Sequence, residues 1–337
     1  MGKRRQLEIP DSSAANPGKS VLGVKQDCAH AVLDDLSLAW EETGEGVPVV
    51  CLHAAGHGAR DFSFLKNESP SHCRLIFFDW PGHGRSSDDQ EPFTVERCVD
   101  LLAAFLKVLG LRSVVLLGSE FGAAVALAFA MQHRLSVRGL LLCQPAGFMP
   151  PATPRQLQGV RRAVRRCARA LLLKPARTAA ELEQAQVDSF ADLHADQCAQ
   201  AARSVSSLGD TLRMALTREL CPTLIALASK SEVFPLKPLL EMLNPFLSPS
   251  PFEQPLKPRV AIFSGRYSPL WESPARLARV VSGFAASTLP LETHPHSWIL
   301  TAVDWPTRGM NHWLCTHPGC HAAQSLPVDI NPNLSGR

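Results

Sequence analysis

Residues 114–130 read VVLLGSEFGAAVALAFA. A short apolar, β-branched run from Val114 to Leu117 ends at Gly118, and after Gly122 an alanine-rich run of strong helix propensity begins. The order is strand, sharp turn, helix. A tight strand-to-helix turn needs small residues two places either side of its strained centre. Gly118 and Gly122 put that centre on Glu120.

The same alternation extends outward. Residues 94–109 carry Val95, Cys98, Val99, Leu102, Phe105, Leu106 and Leu109 on one helical face, and Gly110 ends the pattern. Residues 47–53 and 73–79 read as buried strands, and residues 137–144, VRGLLLCQ, resume the sheet after the helix of residues 121–133. Residues 31–40 read as one strand, joined to the next by the turn-rich EETGEG in an antiparallel start. Strands and helices at this rhythm predict an α/β fold with a mostly parallel, doubly wound sheet and right-handed crossovers. From about residue 150 to 219 the pattern changes to Ala-, Arg- and Gln-rich helices, an insertion that 337 residues with 45% hydrophobic content can carry.

The net charge of +3 leaves no global pull towards nucleic acid, so none is expected as a partner. The start, MGKRRQLEIPDSS, has no apolar core of signal-peptide length, and no apolar run is long enough to cross a bilayer. The expectation is a soluble, cytoplasmic chain with residues 1–27 a polar, mobile tail. Ten scattered cysteines, several in strands or helices (Cys51, Cys98, Cys143), suit reduced core thiols. In residues 157–172, five arginines surround an apolar face and read as a solvated basic surface. CTHPGCH brings Cys315, His317, Cys320 and His321 together, but structural zinc sites favour two separated pairs that clamp a turn. No metal and no cofactor are expected, and residues 285–337 read as an extension.

Three turns carry a resemblance. GSEFG resembles the nucleophile elbow of the α/β-hydrolase superfamily, G-x-nucleophile-x-G, where the centre is usually Ser and sometimes Asp or Cys; here it is Glu120. Ser119 does not take the role, because its own neighbours two places away are Leu117 and Phe121. Residues 79–86, DWPGHGRS, closely resemble the superfamily's D-x-P-G-x-G-x-S turn, and HAAG at residues 53–56 is similar to its H-G-x-G loop, with Ala54 for Gly. The resemblance implies the α/β-hydrolase fold over residues 28–284, with a helical cap at about 150–219. It implies that the backbone N–H groups of Ala55 and Phe121 are the oxyanion-hole donors. His53, His57 and His83 read as structural or rim residues.

Residues 221–235, CPTLIALASKSEVFP, resemble the family's C-P-T-L-x-x-x-G-x-x-D strand and loop, with Ala228 for the Gly and Ser231 for the acid. Residues 260–284 then resemble the last strand, the histidine loop G-H-x-P-x-x-E-x-P and the closing helix, which puts Tyr267 on the histidine. A rival alignment makes residues 260–268 the acid strand and gives the histidine place to His296. The first matches more positions, among them Pro269, Glu272 and Pro274, and is preferred.

On that alignment all three triad places are replaced. Tyr has a reference pKa of about 10, so Tyr267 is a hydrogen-bond donor and not a base for water, and ordinary serine hydrolysis is excluded. Glu120, at a helix N-terminus between amide donors, is expected to be a carboxylate. Its extra methylene relative to Asp lets it reach the oxyanion amides and occupy them, leaving a pocket that binds but does not transfer acyl groups. The leading reading is therefore a catalytically degenerate member that binds a small, largely apolar molecule or a protein partner. The second is an enzyme using Glu120 as nucleophile or base with Tyr267 as donor: an epoxide, halide or ester hydrolase, or a lyase or isomerase. For the hydrolase form Glu232 stands beside Ser231 as a substitute acid, but no base replaces the histidine. The third is a Glu120–His296 hydrolase.

Overall fold

A computed structural model describes residues 28–148, 195–218, 220–231, 233–246, 258–265 and 268–288, with the backbone of 298–303 and 310–315. Residues 1–27, Tyr267, Glu232, His296, the arginine-rich stretch of 157–172 and the His317–Cys320–His321 cluster lie outside the described residues.

The strands are β1 (Ala29–Leu33), β2 (Leu36–Thr43), β3 (Val47–Leu52), β4 (Cys73–Phe78), β5 (Val114–Ser119), β6 (Val137–Cys143), β7 (Thr223–Ala228) and β8 (Arg259–Phe263). The helices are α1 (Ser63–Asn67), α2 (Val95–Val108), α3 (Phe121–Gln132), α4 (Ala195–Thr217), α5 (Leu236–Leu243), α6 (Pro269–Glu272) and α7 (Pro274–Ser287). The sheet runs β1-β2-β4-β3-β5-β6-β7-β8, antiparallel at β1/β2 and β2/β4 and parallel from there on. A separate antiparallel pair, β9 (Trp298–Val303) and β10 (Met310–Cys315), follows α7.

One element differs from the reading above. Residues 31–40 are not one strand: Asp34, with φ +54°, turns the chain between β1 and β2, and Leu33 pairs with Leu36. An Asp-Asp pair between apolar alternations is a two-residue hairpin signal, since aspartate tolerates positive φ and bonds its own backbone.

β3, β5, β6 and β7 sit inside the parallel sheet and are buried on both faces, which is why they are almost wholly apolar. Two hydrophobic cores flank them, one beneath α2 to α5 and one beneath α1, α6 and α7. α2 begins at Thr94, whose side chain accepts the Arg97 N–H at 3.2 Å, and it buries the face read from its spacing. α3 is buried from Phe121 to Ala130 because it packs on the sheet and against α2 and α4. α4 falls within the interval read as a cap. It is fastened to the preceding loop by the Phe93 N–H to Gln200 (2.6 Å) and the Val95 N–H to Ser204 (2.8 Å).

Among the described residues Cys51, Cys73, Cys98, Cys143 and Cys221 are buried free thiols. Burial pushes the Cys73 and Cys221 thiols up to about 12. A thiol must ionise and be reached to alkylate. Native iodoacetamide labelling mapped by mass spectrometry is therefore expected to leave these five unmodified over a time in which the less buried Cys28 and Cys198 react.

Candidate functional site

Glu120 links β5 to α3 at φ +48°, ψ −106°, a conformation costly for any residue with a Cβ. Its surroundings over-determine it. The Glu120 N–H donates to Cys143 O at 2.9 Å, and its carbonyl accepts from Ala123 and Ala146, both at 3.1 Å. A Cβ on Gly118 would come within 2.5 Å of the Ala123 backbone, and one on Gly122 would overlap Leu52 O and His53 O. The two glycines are the space in which the helix starts against the end of β3. The Glu120 side chain makes no capping hydrogen bond to α3. No hydrogen bond from the Ala55 or Phe121 N–H is found among the described residues.

The loop after β3 is clipped to the loop after β4 by two histidines. His53 Nε2 accepts the Trp80 N–H at 2.9 Å while Nδ1 donates to Ala54 O at 2.7 Å. His83 Nε2 accepts the Gly56 N–H at 3.0 Å and Nδ1 donates to Pro81 O at 2.9 Å. Asp79 completes the clip by accepting from Ala59 N–H (2.7 Å) and Arg85 N–H (3.1 Å). Burial raises its pKa against the pull of those two donors. The ring of Phe93 lies 5.0 Å from that of His83 and 4.9 Å from that of Phe121, tilted to both, which links the loop after β4 to the first residue of α3.

His57 belongs to a different arrangement. Its Nδ1 lies 2.7 Å from Asp61 Oδ2, both side chains being buried, and its ring lies 6.2 Å from that of Trp271 on α6. Burial disfavours the imidazolium, but Asp61, by charge and by hydrogen bond, and Glu120, by charge, outweigh it and hold the His57 pKa above its ordinary value. The sequence reading gave His57 a structural or rim place. The one signal for more was the four-residue spacing to Asp61 in HGARD. A histidine whose folded pKa is raised contributes stability that is complete below the unfolded value of about 6.5 and fades as pH rises through the folded value. Urea unfolding at about pH 5.5 and about pH 8.5 is expected to show wild type losing stability over that interval and Asp61→Asn losing less.

Ser231, read as the acid's replacement, is buried at the end of β7, where its hydroxyl accepts the Phe234 N–H at 3.1 Å and shapes the turn. Gln144, which the sequence did not single out, ends β6 at φ +48° and is fully buried, with Oε1 accepting the Ala228 N–H at 3.2 Å. On α4, burial and the charge of Glu120 raise the pKa of the Cys198 thiol. A cavity of about 200 Å³ lined by Phe93, Arg97, Gln197 and Gln200 lies beside α4, its arginine already bound to Asp89 at 2.8 Å. Among the described residues no group of three or more His, Cys, Asp or Glu could hold a metal ion, and no helix is long and apolar enough to cross a membrane.

Residues 49–280 match the model of the alpha/beta hydrolase family. The chain is 30% identical over 138 residues to a 2-hydroxy-6-oxo-6-phenylhexa-2,4-dienoate hydrolase of Comamonas testosteroni, which covers 38% of this chain and 47% of that one. It is 30% identical over 104 residues to a haloalkane dehalogenase of Agrobacterium fabrum, covering 31% and 34%. The chain thus spans less than half the length of these curated relatives. A thermophilic esterase from Thermogutta terrifontis superposes with a TM-score of 0.57 at 23% identity, over 77% of this chain and 97% of that one. With an elbow whose glycines, strained centre and helix start all agree with that match, the chain belongs to the alpha/beta hydrolase family.

Proposed function

We propose that this member uses a carboxylate at the elbow, where the family resemblance usually places a serine: Glu120 is the working group, acting on a small, largely apolar molecule, and serine-dependent hydrolysis is absent. The observation that carries the reading is the strained Glu120 backbone at the start of α3. Strain of this kind persists where the surroundings enforce it and clusters at functional sites. Ser119 is the last residue of β5 and is buried, which counts against it as a nucleophile. The dehalogenase and the dienoate hydrolase among the relatives suggest the reaction class, hydrolysis at an electrophilic carbon.

A second reading, a pocket that binds without turnover, draws on Ser231, whose hydroxyl is engaged in its own turn. The experiment is turnover of chromogenic esters, epoxides and haloalkanes by the full chain beside Glu120→Gln. Loss of at least about 10³-fold in the variant supports the carboxylate reading. Activity retained in the variant overturns it. No turnover by either, with both folded, transfers the case to the binding reading.

A further inference from the structure

We propose that Cys28, with His30 as its base and Ser37 orienting that base, is a reactive thiol at the edge of the sheet and a site of modification by low-molecular-weight disulfides. The hairpin brings the three side chains together. Cys28 immediately precedes β1 and His30 is two residues on, so in extended chain both project from the same side. In the antiparallel register His30 faces Ala39 and Val32 faces Ser37, which makes Ser37 the diagonal neighbour of His30 on that side, within reach of a long side chain. The contacts follow: Cys28 Sγ lies 3.6 Å from His30 Nε2, and His30 Nδ1 lies 2.9 Å from Ser37 Oγ. Ser37 is itself fixed, its N–H donating to Ser87 Oγ and its carbonyl accepting the Ser87 N–H, both at 2.9 Å. Ala31 and Leu33, on the other side of β1, are buried, whereas His30 is exposed and Cys28 partly so. β2, β4 and β3 stand between β1 and β5, so the group is separate from the elbow and does not rest on the carboxylate reading.

The order of groups is that of an activated nucleophile: a thiol, a base within hydrogen-bond distance, and a third group that holds the base. A neutral imidazole carries one N–H and one lone pair. With Ser37 Oγ accepting the Nδ1 N–H, the lone pair is on Nε2, beside the sulfur. As Sγ attacks one sulfur of a small disulfide, the thiol proton passes to Nε2. The bond from Sγ to that sulfur forms, the original sulfur–sulfur bond breaks, and the departing thiolate takes the proton back from the imidazolium. One thiol and one disulfide thus give one mixed disulfide and one free thiol, and nothing else is consumed. The alternative use of a Cys–His pair, metal binding, lacks ligands: among the described residues no group of three or more His, Cys, Asp or Glu could hold an ion. His30 and Ser37 are positioning and proton-handling residues for the thiol, and Cys28 alone is modified.

The test is the rate of mixed-disulfide formation at Cys28 in the full chain with mercaptoethanol disulfide, an uncharged probe, at one fixed pH, mapped by mass spectrometry. The same chain unfolded in urea is the reference. Restricted access slows a folded thiol relative to the unfolded one, whereas a base held beside it speeds it. Folded Cys28 is expected to react about fivefold faster than unfolded Cys28, and the partly exposed Cys198 to react more slowly folded than unfolded. His30→Gln is expected to abolish the acceleration and Ser37→Ala to reduce it, with the Cys198 rate unmoved in both. Far-UV circular dichroism checks that each variant is folded, and His30→Ala serves if His30→Gln is not. Folded Cys28 that reacts no faster than unfolded Cys28 overturns the proposal, as does an acceleration that survives in the His30 variants.

Discussion

Gly122→Ala is expected to destabilise the chain by about 3 kcal/mol or more, enough to prevent folding of an ordinary domain. The sign is the opposite of what helix propensity predicts, since alanine is better than glycine inside a helix by about 1 kcal/mol. Propensity loses here because the added methyl would overlap Leu52 O and lie 2.8 Å from His53 O, both main-chain atoms. A flexible side chain could rotate aside; the end of β3 cannot, because β3 is hydrogen-bonded between β4 and β5. The helix would have to lift from the sheet, taking Ala123 and Ala124, both fully buried, out of contact. Urea denaturation followed by far-UV circular dichroism measures the effect, and a variant as stable as wild type would show that the elbow is not packed as described.

Glu120→Gly is expected to separate stability from activity. Glycine adopts positive φ without a Cβ penalty, so the substitution relieves strain of order 1–3 kcal/mol. The larger conformational freedom of glycine in the unfolded chain offsets about 0.4–1 kcal/mol of that. A net gain of about 1 kcal/mol in unfolding free energy is expected, together with loss of turnover by at least about 10³-fold on any substrate that wild type processes. Glu120→Gln, which keeps the Cβ and the strain, is the control for the stability half. A destabilised Glu120→Gly would mean that the contacts of the side chain outweigh the strain of the backbone that carries it.

Much of this fold was legible because its signals are local. Gly118 and Gly122 locate the elbow from spacing alone, and DWPGHGRS locates the turn in which Gly84, at φ +54°, leaves room for the Asp79 carboxylate. The helical face of residues 94–109 and the apolar strands needed only periodicity. The hairpin at Asp34 was missed although it is also local: the buried positions pass from Ala31 and Leu33 to Leu36 and Leu38, a change of phase across Asp34 and Asp35 that a reading as one strand passes over.

The candidate site was legible at Glu120 and not at His57. By itself the sequence determined the fold class, the elbow and its acidic centre, since each depends on residues within a few places of one another, where steric and propensity rules act. Only the tertiary structure decided which side chains share a charge environment. Glu120 and His57 are 63 positions apart, yet the Glu120 charge acts on His57, on loops that leave the neighbouring strands β5 and β3, while Asp61 is turned onto His57 by a 3₁₀ turn that no periodicity announces. Electrostatic coupling falls with distance through space and is indifferent to distance along the chain, so it becomes visible only once the sheet order is known.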